Sequence, residues 1–184
     1  MKQRFFHAVC VLLTAAVFVC AFGSCAKDTV TAPTLDEDGK YTGFASVSSD
    51  YTAEQAKKDG VLVLTDNKPT GDTKPWDSFV TKSHKGKNAF VRVASYSGKT
   101  VEFDDLYFTD GKYRLFQRDK SGEVTDKGEY KYLVNAEESG LNAYILTDTP
   151  DVNAMQAIIQ SYLSGKENNK KADYVLLGFT LHLG

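Results

Sequence analysis

The residues of this chain whose types and spacing could do chemistry lie in one stretch, residues 88–148. It holds Arg92, Arg114 and Arg118, which are the only arginines after residue 4. Asp105 and several aromatic residues lie between them. A guanidinium group donates forked hydrogen bonds to carboxylates and phosphates, and an aromatic ring offers a flat surface for stacking. Together these residue types indicate a shallow surface that binds an anion or a glycan.

Alternation along predicted strands places these residues on one face. Two-residue turns at residues 98–99 and 110–111 would pair Arg92 with Asp105 and Tyr107 with Arg114. The same register pairs Asp105 with Phe116 and Phe103 with Arg118. The candidate binding residues are Arg92, Asp105, Tyr107, Arg114, Phe116 and Arg118. The sequence leaves a second interpretation open, a structural cross-strand ladder in which each pair contributes roughly 0.2–1 kcal/mol.

Motifs for catalysis and for cofactors are not found in the sequence. It has no G-x-S-x-G, H-E-x-x-H, P-loop or G-x-G-x-x-G. No cysteine follows residue 25, and two histidines remain beyond it, His84 and His182. We therefore expect no catalytic residue, metal or cofactor.

A hydrolase that uses carboxylates is the alternative. Its candidates are Glu102 with Asp104 or Asp105, and it would need paired acids in a cleft with separated pKa values.

The first 24 residues are typical of an export signal. Lys2 and Arg4 precede an apolar run from residue 5 to residue 22, which is short for a membrane-spanning helix. The run Phe22-Gly23-Ser24-Cys25 resembles the lipobox of bacterial lipoproteins, although leucine is commoner than phenylalanine at its first position. The resemblance implies lipidation of Cys25 and cleavage before it. Ordinary secretion, with cleavage after Gly23, is the alternative.

Charge excludes one class of partner for the exported chain. Residues 1–24 hold two of the 22 basic groups and none of the 24 acidic groups, so residues 25–184 carry 20 against 24, a net charge of −4. A mildly acidic chain is not expected to bind nucleic acid. The expected partners are the membrane, through the lipid, and an anionic glycan or envelope polymer.

Composition divides the remaining chain into a tether and one domain. Residues 25–50 are rich in Thr, Ser, Asp and Gly, which predicts a flexible tether that spans on the order of 25–30 Å. Residues 51–184 are predicted to form a single domain.

Three helices are predicted within this domain. Thr52 and Gln55 fit a capping box, and Pro75 suits the start of a second helix. Thr149 and Pro150 suit the start of a third, with an apolar face that includes Ile158, Ile159 and Leu163.

Five strands are predicted in series between residues 88 and 148, with helices before and after them. Helices segregated from a run of strands indicate an α+β fold. We therefore predict a mainly antiparallel β-sheet in a meander, with two to three helices packed on one face.

Four phrases of the sequence resemble a domain of uncharacterised lipoproteins of Gram-positive bacteria. They are YTAEQAKKDGV at residues 51–61, KPWDSF at 74–79, FVRVASY at 90–96 and DLYFTDGKY at 105–113. The likeness covers about residues 50–135. The family has no assigned activity, so the resemblance implies a location and a fold and supplies no site.

The sequence thus predicts a lipoprotein on the outer face of the cytoplasmic membrane that acts as a non-enzymatic binding or interaction module. A carboxylate hydrolase and a purely structural or inhibitory domain are the alternatives.

Overall fold

A computed structural model of the protein describes residues 32–48, 50–138, 141–153, 155–157 and 174–179. The elements are α1 Ala53–Lys58, β1 Leu62–Thr65, β2 Lys68–Pro69, α2 Lys74–His84, β3 Ala89–Ser97, β4 Thr100–Thr109, β5 Lys112–Arg118, β6 Val124–Tyr130, β7 Tyr132–Glu138, β8 Leu141–Thr147 and β9 Tyr174–Phe179.

The strands form two sheets, and the predicted α+β class is confirmed. The larger sheet has six strands in the order β2-β1-β3-β4-β5-β6, and the smaller has three in the order β7-β8-β9. Within these described strands β1 and β3 run parallel, and all other neighbours run antiparallel. The two hairpins β3–β4 and β4–β5 lie at the centre of the larger sheet and carry the predicted site.

The meander contains one strand more than the sequence predicted. Strand β6 pairs with the edge of β5, and the chain then leaves for the second sheet between Tyr130 and Tyr132. Most of β6 is exposed. It is held by backbone pairing rather than by a buried alternating face, so its sequence carries little strand signal.

Helix α1 begins at the predicted cap, with a different second bond. The Thr52 hydroxyl accepts a hydrogen bond from the backbone N–H of Gln55 at 3.2 Å. The Gln55 side chain donates forward to Asp59 at 2.8 Å rather than back to residue 52. The start of the helix therefore has one of the two bonds of a capping box.

Helices α1 and α2 lie on opposite faces of the larger sheet, which corrects the expectation that all helices share one face. Helix α2 contributes Trp76 and Phe79 to a core that includes Val91, Leu106 and Leu115. Helix α1 contributes Ala56 to a second core on the other face. Alternation in β1 explains the division, because Leu62 and Leu64 join the first core and Val63 joins the second.

The predicted tether is the larger correction. Residues 34–48, hereafter the strap, fold onto the sheet and bury Tyr41, Phe44 and Val47 in the second core. The expectation of a flexible tether over residues 25–50 is therefore wrong for the strap. The folded domain begins at about residue 34 and not at residue 51, because these three side chains gain apolar contact only on the sheet.

The third helix begins later than predicted. The Asn153 side chain accepts from the backbone N–H of Gln156 at 2.8 Å, as a helix cap does, so Thr149 and Pro150 do not start the helix. Residues 155–157 are helical, and Ala157 packs with Ala143 and Ile145 of the smaller sheet. The predicted apolar contacts of Ile158, Ile159 and Leu163 lie outside the described residues.

Candidate functional site

The register of the central hairpins is the one that the sequence predicted. Arg92 lies opposite Asp105 in β3–β4, and Tyr107 lies opposite Arg114 in β4–β5. Asp105 and Phe116 also face each other, as do Phe103 and Arg118. The turn at residues 110–111 has φ values of 53° and 75°, as an Asp-Gly turn of this hairpin type requires. The predicted residues therefore share one face, hereafter the arginine–aromatic face.

At the centre of this face lies a buried, two-pronged ion pair. Arg92 Nε donates to Asp105 Oδ1 and Arg92 Nη2 donates to Asp105 Oδ2, each at 2.6 Å. The Asp105 side chain is fully buried and the Arg92 side chain is 17% exposed. A carboxylate in such a place needs its full complement of donors, because an unpaired buried charge is costly.

The strap supplies a further donor and covers the carboxylate. The Tyr41 ring stacks on Phe116 with centroids 4.0 Å apart and planes 10° apart. Its hydroxyl donates to Asp105 Oδ2 at 2.6 Å and lies 2.8 Å from the Tyr107 hydroxyl. Burial, and then the nearby Asp105 charge, raise the pKa of Tyr41 far above the ordinary phenol value, so its proton stays in place as a donor.

Backbone carbonyls of the strap accept from the arginines. Arg92 Nη2 donates to the Gly43 carbonyl at 2.8 Å, and Arg118 Nη1 donates to the Val47 carbonyl at 2.9 Å. The Arg118 guanidinium also lies over the Phe103 ring, 4.5 Å from its centroid. A side chain at residue 43 would overlap the Tyr41 ring, so glycine is required there. These bonds hold the strap by its backbone as well as by its side chains.

The structure therefore does not leave Arg92, Asp105 and Phe116 open to a ligand, and Arg118 is half-buried with its Nη1 bonded to the strap. Arg92 and Asp105 bond to each other across the strands, as in the structural interpretation. The strap bonds to both of them and stacks on Phe116, which neither interpretation included. Sequence reasoning missed the covering residues, Tyr41, Gly43, Phe44 and Val47. Their only signal is an apolar residue at every third position of a polar stretch.

A part of the arginine–aromatic face is only partly covered, and the strap reaches it at the Tyr107 hydroxyl. Phe90 pairs with Tyr107, which pairs with Arg114, so these three residues form a row across β3, β4 and β5, hereafter the open row. The Phe90 and Tyr107 rings lie 4.7 Å apart, and Phe90 is 39% exposed. Arg114 lies over the Phe116 ring at 4.9 Å and donates to Asp126 at 2.6 Å, with its side chain 30% exposed. Phe90 was not among the predicted site residues, although the same alternation and pairing identify it.

The three acids that a carboxylate hydrolase would use, Glu102, Asp104 and Asp105, do not lie together on one face of the sheet. Asp105 lies on the arginine–aromatic face, whereas Glu102 and Asp104 point to the opposite face, because successive strand residues alternate. Asp104 accepts from Gln117 Nε2 at 3.1 Å. Burial raises the pKa of Asp104 to about 7, and the nearby Glu102 adds to the shift. Asp105 is bound by Arg92 and Tyr41 and has no free oxygen for acid–base chemistry.

Neither a metal-holding cluster nor a membrane-spanning helix occurs among the described residues. Among them, no group of three or more His, Cys, Asp or Glu side chains could hold a metal ion. No helix in the described part is long and apolar enough to cross a membrane. Comparisons of the chain with protein-family models, with curated proteins and with solved structures found no match.

Proposed function

We propose that this protein is a lipoprotein, anchored through Cys25 on the outer face of the cytoplasmic membrane, and that its domain is a non-enzymatic module that binds glycans of the cell envelope. The anchor is supported by the position of Cys25, directly after a short apolar run in a chain with no later cysteine. The sequence resemblance to lipoproteins of Gram-positive bacteria supports the same location.

The observation that carries the binding proposal is the open row of Phe90, Tyr107 and Arg114. Two rings in contact and a guanidinium are held in fixed positions by strands, and the strap does not bury them. Binding sites commonly combine aromatic surface with a few well-placed polar groups. A row that is already ordered loses little side-chain freedom when a ligand binds.

The local charge favours a glycan over a simple anion. Each basic residue here has an acidic partner: Arg114 pairs with Asp126, and Lys112 pairs with Glu129 at 3.0 Å. The positive charge of the row is therefore largely balanced, and it gives little long-range attraction for anions. A sugar ring can stack on Phe90 and Tyr107 while its hydroxyl groups bond to the Arg114–Asp126 pair. Acidic substituents on the polymer would add a contact to the guanidinium.

The proposal is tested with the full-length protein in detergent on an array of cell-wall fragments, neutral polysaccharides and acidic glycans. Phe90→Ala and Arg114→Ala should each weaken capture of the bound polymer at least tenfold. The melting temperature of Phe90→Ala should change little, since the ring is already 39% exposed.

Tyr132→Ala is the matched control, because it removes an aromatic ring that is 41% exposed on the smaller sheet. It should leave capture unchanged. The proposal fails if the wild-type protein captures no polymer. It also fails if Phe90→Ala and Tyr132→Ala have equal effects, which would assign a purely structural role to the row.

A further inference from the structure

A pocket of about 380 Å³ lies on the face of the sheet opposite the strap, beyond the part that helix α2 covers. Its walls come from the β1–β2 turn, from the β3–β4 hairpin and from the β5–β6 turn. The lining residues are Asp66, Asn67, Ser95, Tyr96, Ser97, Thr100, Glu102 and Lys120. A volume of this size lies within the range of small-molecule sites.

One wall of the pocket is a fixed turn. Asp66 and Asn67 have φ values of 49° and 62°, which only a few non-glycine residue types accept readily. The backbone N–H of Asp66 donates to the Tyr96 carbonyl at 3.1 Å, which ties the turn to strand β3. The carboxylate and amide side chains of this turn are therefore held beside the hairpin that carries Glu102.

Several polar side chains of the pocket make no bond within the protein, whereas the hydroxyl groups of Tyr96 and Thr100 donate to backbone carbonyls. Within the described part of the chain, the side chains of Asp66, Asn67, Ser95, Glu102 and Lys120 take part in no hydrogen bond or ion pair. Ser95 and Glu102 are half-buried and face each other across β3 and β4. Polar groups withdrawn from solvent are usually satisfied within the fold, so the unpaired Ser95 and Glu102 at this pocket indicate a place for a ligand. Asp66, Asn67 and Lys120 are exposed to solvent.

Asp104 extends the negative charge from the pocket toward the core. It lies two residues from Glu102 on the same face of β4, a spacing of about 7 Å along the strand. Burial holds part of its population protonated near neutral pH, and Gln117 opposes this through its hydrogen bond. The charged groups around it are Glu102 and Asp105 on its own strand and Lys127 on β6. A carboxyl group kept in such a position beside a pocket is typical of binding sites.

We propose that this pocket binds a small molecule that carries a primary ammonium group beside hydroxyl groups, with the ammonium on Glu102, the half-buried carboxylate of the lining. An organic cation suits the site better than a metal ion, because no metal-holding group of acids or histidines exists among the described residues. An ammonium has three donors, and the nearby carboxylate, hydroxyl and amide oxygens are all acceptors. The hydroxyl groups of the ligand would contact Ser95, Asn67 and Asp66. The proposal does not depend on the open row, which lies on the other face.

The test uses the full-length protein in detergent and two probes that differ only at the nitrogen, glucosamine and N-acetylglucosamine. Isothermal titration at pH 7 should show saturable binding of glucosamine. N-Acetylglucosamine should bind at least tenfold more weakly, because its nitrogen carries no charge.

Glu102→Gln should weaken glucosamine binding at least tenfold. Asp104→Asn, which removes a carboxyl group behind the lining, should weaken it by a smaller factor. Glu37→Gln is the control: it removes one exposed carboxylate of the strap and should leave binding unchanged. Three results would each overturn the proposal: no saturable binding of glucosamine, equal binding of the acetylated sugar, or unchanged binding in Glu102→Gln. Loss of polymer capture in Phe90→Ala would bear on the open row alone.

Discussion

Two arginine–carboxylate pairs on the same face differ in burial, and their contributions to stability should differ accordingly. Arg92 and Asp105 are 17% and 0% exposed, whereas Arg114 and Asp126 are 30% and 41% exposed. Arg92→Ala would leave the Asp105 carboxylate buried without its cation. We expect the free energy of unfolding to fall by about 3–5 kcal/mol, measured by urea denaturation at pH 7.

Arg114→Ala is the matched control for this prediction. Its pair is shared with solvent, and we expect a loss of about 1 kcal/mol or less. If Arg92→Ala cost no more than Arg114→Ala, then Asp105 would be reached by water in solution and the strap would not seal the ion pair.

Asp104 should make stability depend on pH in the opposite direction to an ordinary paired carboxylate. Burial raises its pKa in the folded protein to about 7, above the value of 3.8 for a free side chain. The folded state therefore binds more protons than the unfolded state between about pH 4 and pH 7. The contribution of this group to stability is fully present below pH 4 and is lost as pH rises through 7.

The asparagine side chain in Asp104→Asn has nearly the same shape as aspartate and cannot ionise. The variant should therefore not lose stability as the pH rises through 7. Relative to wild type, we expect it to stabilise the fold by about 1–3 kcal/mol at pH 8 and to have little or opposite effect at pH 4. Thermal melts across this range measure the difference. A difference between the two proteins that is independent of pH would show that the pKa of Asp104 is the same in the folded and the unfolded protein.

At the scale of elements, the strap shows how a polar, small-residue segment acquires a fixed structure. Asp36 Oδ1 accepts from the backbone N–H groups of Asp38 and Lys40 at 3.0 and 2.8 Å, which closes a local turn. The turn brings Leu35 and Tyr41 into a β-bridge. Ordering this many residues has a large entropic cost, and few apolar side chains offset it. The strap is therefore the element most sensitive to loss of a single anchor.

Phe44 is the strap residue whose replacement should lower the stability of the protein most clearly. Its side chain is 3% exposed and packs against Phe103, Arg92 and Arg118. Phe44→Ala should lower the free energy of unfolding by about 3–5 kcal/mol and should make the strap an early site of limited proteolysis.

Leu35→Ala provides the comparison within the same element, because Leu35 is 38% exposed. It should change stability by about 0.5 kcal/mol or less. Equal proteolysis of the strap in wild type and Phe44→Ala would contradict its docking on the sheet.

At the scale of the whole molecule, the docked strap shortens the link between the proposed anchor and the domain. Eight residues separate Cys25 from Thr34, the first residue of the strap. Fully extended, this link spans at most about 30 Å. The open row and the pocket would therefore operate close to the membrane surface, where only polymers that pass near the bilayer are within reach.

The anchor itself is tested by Cys25→Ser. If Cys25 carries the lipid, the variant should appear in the culture medium or accumulate unprocessed, while the wild-type protein fractionates with membranes. Mass spectrometry of the wild-type N-terminus provides the decisive measurement. An unmodified terminus at Ser24 would indicate ordinary secretion.

The sequence by itself determined the central hairpins and their register. Side-chain alternation and a two-residue Asp-Gly turn are local signals, and together they fix which residues face each other across neighbouring strands. They correctly placed Arg92 opposite Asp105 and Tyr107 opposite Arg114. The sequence also allowed two interpretations of this face, a binding surface and a structural ladder, but it could not decide between them.

Only the tertiary structure decided what covers that face. Tyr41 and Phe44 lie in a segment whose composition predicts disorder, and their apolar contact comes from a surface more than 50 residues away in the chain. Strand β6 was missed for a related reason. Backbone pairing with β5 holds this strand, and its side chains show no alternating apolar pattern that would predict it. The surroundings that raise the pKa of Asp104 come in the same way from several elements at once. Interactions between distant segments depend on surfaces that exist only after folding, and no local pattern records them.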